Sequence, residues 1–177
     1  MKEALILFSG GKDSLLSTIK YLDYGYKVYL VTYDNSCGIG IKNVKSTVNR
    51  LIKKYGNNRI EFIGTKDISA IFRNFIVPFY NYKFDYVIKK FGIISISQFN
   101  CLACRMAMYV ASIIICKQKN ISVVVDGARI SQLFVIEQEV MLNKFIAFFK
   151  KYNLTMDYPV RLMPMIENVG FLELNSI

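Results

Sequence analysis

The chain has 177 residues and is 53% hydrophobic and 14% aromatic, enough apolar material for one domain with a sizeable core and too much for a disordered chain. Its formal charge of +10 favours a polyanionic partner such as tRNA or ATP, although a solvated lysine-rich surface gives the same sum. It contains no His, so the commonest general base and metal ligand is excluded.

In chain order, residues 3–8 read as a buried strand, with Ala4-Leu5-Ile6-Leu7-Phe8 at its heart. The run Ser9-Gly10-Gly11-Lys12-Asp13-Ser14 follows, and then a helix over 14–24 that Gly25 ends. A second strand is predicted over 27–33, a loop over 34–40, and an amphipathic helix over 41–55 stopped by Gly56. Residues 59–64 form a short third strand. The stretch 67–81 reads as a helix that Asp67 caps and Pro78 bends or ends. Residues 83–99 read as a short helix and a loop. A strong helix covers 101–119, and an apolar strand of the parallel type covers 122–126. A long helix over 131–151 and a fifth strand over 158–162 complete the pattern before the tail from 164. Strand–helix alternation implies a doubly wound parallel α/β sheet of about five strands with helices on both faces. The whole chain, 1–177, is expected to be a single domain. Neither a signal peptide nor a transmembrane helix is expected, so the expected location is cytoplasmic, with no membrane partner.

In such a sheet, ligands bind beyond the carboxyl ends of the strands, at the point where the strand order reverses. The glycine loop after the first strand, the loop 34–40 and the segment after the Val-rich strand therefore face one site. A glycine pair between strand and helix lets a ligand approach the backbone closely. The helix N-terminus and Lys12 add positive charge, which makes a phosphate or pyrophosphate cradle. The run is neither the common nucleotide loop nor the G-x-G-x-x-G fingerprint. The bland reading is a strand–turn–helix connection with an Asp or Ser cap.

Of four cysteines, Cys116 lies on an apolar helix face and reads as core. Cys101-Leu102-Ala103-Cys104-Arg105 would open the helix over 101–119. Both thiols then share a face, and the helix dipole and Arg105 favour the reactive thiolate. The alternative is two buried, inert thiols. Cys37 falls in the loop after the second strand. The runs Tyr80-Asn81-Tyr82-Lys83-Phe84 and Lys89-Lys90-Phe91 interleave aromatics and cations. They suit base stacking and phosphate contact, or simply the half-exposed side of a helix.

The loop Ser9-Gly10-Gly11-Lys12-Asp13-Ser14 resembles the pyrophosphate loop of the PP-loop ATP pyrophosphatase family, which has an adenine nucleotide alpha hydrolase fold. Residues 101–109, with their C-x-x-C, resemble the family's tRNA-thiolation branch. That resemblance implies adenylation of a carbonyl-type oxygen with release of pyrophosphate, then sulfur insertion, most readily into a tRNA nucleoside. It implies that Ser9, Gly10, Gly11, Lys12, Asp13 and Ser14, with Phe8 before them, hold the nucleotide. Tyr33 and Asp34 would meet the adenosine, the ribose or Mg²⁺, or Asp34 is an ordinary turn residue. Gly127 and Arg129 would close over the phosphates, or else cap the strand and face solvent. Asp13 would stand near Mg²⁺, which neutralises ATP. Cys101 and Cys104, with Cys37 third, would carry and resolve a persulfide or ligate an iron–sulfur cluster. The implied partners are ATP, tRNA, a sulfur donor protein or sulfide, and a second copy of the chain as a homodimer. Other readings are thioamide, amide or nitrile formation on a small molecule, and a non-catalytic adenine-nucleotide-binding module.

Overall fold

The structure, a computed structural model, describes residues 1–35, 44–91, 96–130 and 134–163. Cys37 and most of the loop 34–40 lie outside the described residues, as does the tail from 164. β1 (Glu3–Leu7), α1 (Lys12–Asp23), β2 (Lys27–Asp34), α2 (Val44–Tyr55) and β3 (Ile60–Asp67) come first. α3 (Ser69–Pro78) then runs through a π-helical turn (Phe79–Lys83) into α4 (Phe84–Phe91). α5 (Ile96–Lys119), β4 (Val123–Val125), a 3₁₀ turn (Val135–Glu137), α6 (Glu139–Lys150) and β5 (Thr155–Asp157) follow. All strand pairings are parallel, in the order β3-β2-β1-β4-β5.

Side chains alternate across a strand, so each central strand feeds two cores. Leu5, Leu7, Tyr29, Val31, Val124 and Met156 pack against Tyr109, Ile113 and Cys116 of α5 and Leu142, Phe145 and Phe149 of α6. Ala4, Ile6, Phe8, Val28, Leu30 and Val125 pack against Leu15 and Leu22 of α1 and Val48 and Leu51 of α2. Both faces of β1 are therefore buried, which explains its unbroken apolar run. Each large apolar side chain buried this way contributes roughly 1.5–3 kcal/mol. The order reverses between β1 and β4, and the carboxyl ends of those strands open the crevice where a ligand fits. α5 is long and apolar enough to cross a membrane by length and composition. Its Ala103, Ala107, Tyr109, Ser112, Ile113 and Cys116 are instead buried within the domain.

Several boundaries differ from those read in the sequence. The third strand continues to Asp67 through a bulge at Gly64, whose φ is +103°. Ile68 occupies the cap position of α3, and Asp67 accepts a hydrogen bond from the Ser69 amide at 2.8 Å. α3 ends at Pro78, where the missing N–H widens the coil into a π turn. α5 starts at Ile96 rather than Cys101, because Phe99 stacks on Phe79 at 3.5 Å and holds the extra turn. No single helix spans the described part of 131–151. Gln138 has ψ of 144°, and this extended residue separates the 3₁₀ turn from α6. The fifth strand lies at Thr155–Asp157 rather than 158–162. Pro159 has no N–H to give a ladder, so the chain turns there.

Candidate functional site

The loop between β1 and α1 is built by its own serines. The Ser9 amide donates to Ser14 Oγ at 3.3 Å, Ser14 Oγ donates to the Gly11 carbonyl at 3.0 Å, and the Gly11 amide donates to Ser9 Oγ at 3.3 Å. Gly10 has φ of +77°, a left-handed conformation that only glycine adopts at no cost. Gly11 is the N-cap of α1 and brings no capping side chain, so the start of the helix is not sealed by one. Lys12 is exposed at that start. Phe8 is buried under the loop, and its carbonyl accepts a hydrogen bond from Thr32 Oγ1 at 2.6 Å.

Gly127, just beyond β4, presses on the same helix start. A Cβ there would stand 2.9 Å from the Asp13 carbonyl carbon and 2.9 Å from the Ser14 nitrogen. Only glycine permits this approach of loop to helix. Arg129 is not solvated. It folds back to Asp13 at 3.0 Å (Nε to Oδ1), with most of its side chain covered.

α5 supplies the opposite wall. Cys101, Cys104, Arg105 and Met108 line a cavity of about 740 Å³ together with Ser9, Asp13 and Ser14 of the loop. Their i, i+3, i+4, i+7 spacing is one helix face. The structure thus brings the glycine loop and the C-x-x-C to one cavity. Tyr33 lines it too, and its hydroxyl meets Ser112 Oγ at 2.8 Å. Burial pushes the Tyr33 phenol up, against the lowering effect of the Ser112 hydrogen bond. Asp34 ends β2, and its carbonyl accepts from the Ile68 amide at 2.8 Å.

Neither the α5 N-terminus nor Arg105 stands where the spacing around Cys101 and Cys104 predicts. Cys101 lies beyond the first turn of α5, where the helix-end field has faded. Arg105 is committed to carboxylates: it pairs with Asp126 and reaches Glu137 at 3.4 Å. Burial opposes its charge, yet Asp126, Tyr109 and Glu137 hold its pKa above the usual arginine value. Tyr109 also donates to Asp126, at 2.8 Å, and burial drives its phenol far up. Cys101 is exposed and Cys104 half-buried, with Asn35 Nδ2 donating to Cys104 Sγ at 3.0 Å. Cys116 is core, its thiol pushed up to about 12 by burial.

Among the described residues, no group of His, Cys, Asp or Glu is arranged to hold a metal ion. Among the described cysteines, Cys101 and Cys104 line the cavity, and Cys37, the third ligand a cluster would take, lies outside the described residues. The carboxylate of Asp13 is also a sparse donor set, which fits Mg²⁺ carried mainly by a triphosphate and water.

Asn35 and Glu137 carry no motif and were missed in the sequence. Glu137 is 5% exposed, and its Oε2 has no hydrogen-bond partner among the described residues. Burial, above all, raises its pKa. The aromatic–basic stretch is a surface. Tyr82 and Tyr86 are exposed, and the neighbouring Tyr80 hydroxyl donates to Asn100 at 3.4 Å, beside Cys101.

The family model described as thiamine biosynthesis protein (ThiI) matches residues 1–138. No curated protein matches the chain. Among solved structures, a predicted subunit of tRNA methyltransferase from Methanocaldococcus jannaschii is similar at 19% identity and a TM-score of 0.57. That match covers 99% of this chain and 75% of the other. A 4-thiouridine synthetase in complex with RNA and bound ATP is similar at 13% identity and a TM-score of 0.68. There the match covers 99% of this chain but only 40% of the other. Both likenesses are of fold.

Proposed function

The chain belongs to the thiamine biosynthesis protein (ThiI) family, within the PP-loop class that its glycine loop resembles, and from that premise we propose that it is an ATP-dependent sulfurtransferase acting on a tRNA nucleoside. A carbonyl oxygen of the acceptor attacks the α-phosphorus of ATP, and pyrophosphate leaves into the cradle of Ser9, Gly10, Gly11, Asp13 and Ser14. Lys12 adds charge at that cradle, and Arg129 holds the loop acid and the phosphates. Tyr33 and Asp34 stand on the adenosine side. Mg²⁺, when bound, neutralises the triphosphate.

The observation that carries this reading is the shared cavity: the nucleotide loop and the two thiols of α5 face the same space. One of Cys101 and Cys104 takes the terminal sulfur of a donor persulfide. That persulfide attacks the adenylated carbon and displaces AMP. The other cysteine then attacks the mixed disulfide, frees the thiocarbonyl product and leaves a Cys101–Cys104 disulfide for an external thiol to reduce. Residues three apart on a helix are close enough for that exchange. Cys37 is the third candidate. Tyr82, Tyr86, Lys83 and Lys89 would meet the RNA. We also read the chain as one cytoplasmic domain, with further RNA-binding surface supplied by a partner or a second copy.

The test is pyrophosphate release and nucleoside mass spectrometry with ATP, bulk tRNA and a protein persulfide donor. Thiolated nucleoside should form with the native chain and not with Cys101→Ser or Cys104→Ser, while both variants keep adenylation. Full product from both variants overturns the sulfur role. Pyrophosphate release with a small amide but not with tRNA overturns the acceptor.

A further inference from the structure

In the charged network below the cavity, one buried carboxylate oxygen has no hydrogen-bond partner among the described residues. Glu137 sits on the 3₁₀ turn before α6, 5% exposed, and lines the cavity. Its Oε1 faces the Arg105 guanidinium at 3.4 Å, and its Oε2 is buried without a hydrogen-bond partner among the described residues. Leaving a buried carboxylate oxygen unsatisfied is costly, and such orphans persist where a ligand completes them. The surrounding groups are Arg105 of α5, Asp126 and Arg129 beyond β4, and Asp13 of α1. Glu137 thus lines the same cavity as the pyrophosphate loop and the C-x-x-C, where the reacting carbon of an acceptor would lie.

We propose that Glu137 is the general base of the adenylation step and recognises an amide-type N–H beside the carbonyl that is activated. The inference rests on the adenylation reading given above. An amide oxygen is a weak nucleophile, and removing the proton from its nitrogen turns it into an imidate oxygen. As the oxygen bonds to the α-phosphorus, the bond from that phosphorus to the bridging oxygen breaks, pyrophosphate leaves, and the N–H proton passes to Glu137. The carbon now carries the O-adenylate and a C=N bond. After the donor's sulfur has displaced AMP and the thiocarbonyl is freed, the protonated Glu137 returns its proton to the nitrogen. The raised proton affinity of a buried carboxylate suits that exchange. The neighbouring carboxylates Asp13 and Asp126 are held by Arg129 and Arg105, so Glu137 has the oxygen left over.

Two measurements test this with the full chain. The first compares the native protein with Glu137→Gln in tRNA- and sulfur-donor-dependent pyrophosphate release across pH. Gln keeps the shape but cannot take the proton. The expected loss in kcat is about 10²–10⁴-fold, the scale of general-base catalysis. The ATP KM should stay near the native value, and the acid limb of the native pH profile should vanish. A kcat within threefold of native with the limb intact overturns the role. The second uses binding alone: uridine 5′-monophosphate against its N3-methyl form, each added to the native protein with a non-hydrolysable ATP analogue. The N–H form should bind at least tenfold tighter. Equal binding overturns the proposal even if Glu137→Gln fails to fold. A preference for the N–H form in a protein that releases no pyrophosphate with any acceptor refutes the adenylation reading while leaving the recognition of the N–H standing.

Discussion

Replacing Gly127 with Ala probes how closely the β4 loop must approach the nucleotide loop. The new Cβ would lie 2.9 Å from both the Asp13 carbonyl carbon and the Ser14 nitrogen, and 3.0 Å from the Asp13 oxygen. These are backbone atoms in the first turn of α1, so no side chain can rotate away. Either the loop withdraws or the helix start shifts by several tenths of an ångström. Overpacking of this kind costs about 1–3 kcal/mol. For a chain of this size each kcal/mol lowers Tm by about 2–4 °C, so the expected drop is about 2–12 °C. The displaced atoms are those that would cradle pyrophosphate, so ATP binding should weaken at least tenfold by calorimetry. Gly25→Ala is the control. Its φ is +84°, so alanine is strained there by about 1–2 kcal/mol, but nothing lies within 4 Å of the added carbon. It should lose stability and bind ATP like the native chain. If Gly127→Ala binds ATP as tightly as Gly25→Ala does, the contact positions nothing and the reasoning fails.

Four further outcomes follow from the same geometry. Arg105→Met leaves Asp126 and Glu137 buried without their counter-charge and should cost about 3–5 kcal/mol in denaturant unfolding; an unchanged midpoint refutes the network's importance. Glu137→Gln should gain stability over the native chain as pH rises from 4.5 towards 7. The folded-state pKa of Glu137 is raised, so its contribution is complete below the ordinary carboxylate value and is lost as it ionises in the fold. A stability difference that is constant with pH contradicts that sign. Alkylation followed by mass spectrometry should label Cys101 first, Cys104 later and Cys116 only on unfolding, because the last is buried and its thiol is pushed up to about 12. Equal labelling of Cys116 and Cys101 refutes the packing of α5. Tyr82→Ala with Tyr86→Ala should weaken tRNA binding by about 1–3 kcal/mol per stacked base without changing ATP affinity; unchanged tRNA binding removes that surface from the RNA path.

Much of the fold was legible because it is local. Ala4-Leu5-Ile6-Leu7-Phe8 and Ser122-Val123-Val124-Val125 can only be buried parallel strands, and Gly25 and Gly56 end their helices with φ of +84° and +90°. The nucleotide loop was legible because its function depends on backbone geometry that glycine and serine encode in order. The start of α5 was not, because the turn before Cys101 is held by Phe79, distant in sequence. The fifth strand was misplaced for a similar reason. Thr155 is exposed and Asp157 polar, yet Asp157 accepts a hydrogen bond from Tyr21 at 2.6 Å across the fold. Glu137 and Asn35 were invisible because their roles come from partners that no spacing rule connects: Arg105 for one, Cys104 for the other.

Those partners also explain why the two halves of the site are held at a set distance. In the proposed reaction sulfur must meet the adenylated carbon before water does, which would require the thiols to keep a fixed place relative to the phosphates. A continuous path of contacts connects them here. Cys101 and Cys104 share their helix face with Arg105, and Arg105 is clamped to Asp126, itself bonded to Tyr109. Asp126 is followed directly by Gly127, whose backbone rests on Asp13 and Ser14. Arg129 closes the path by returning to Asp13. The register of α5 is therefore coupled to the start of α1 through the packed loop after β4 and the ion pairs at its two sides. A disturbance at Arg105 should consequently reach the nucleotide, and one at Gly127 should reach the thiols. Arg105→Met is expected to slow sulfur insertion and to weaken ATP binding together, whereas truncating exposed Lys12 should weaken ATP binding alone.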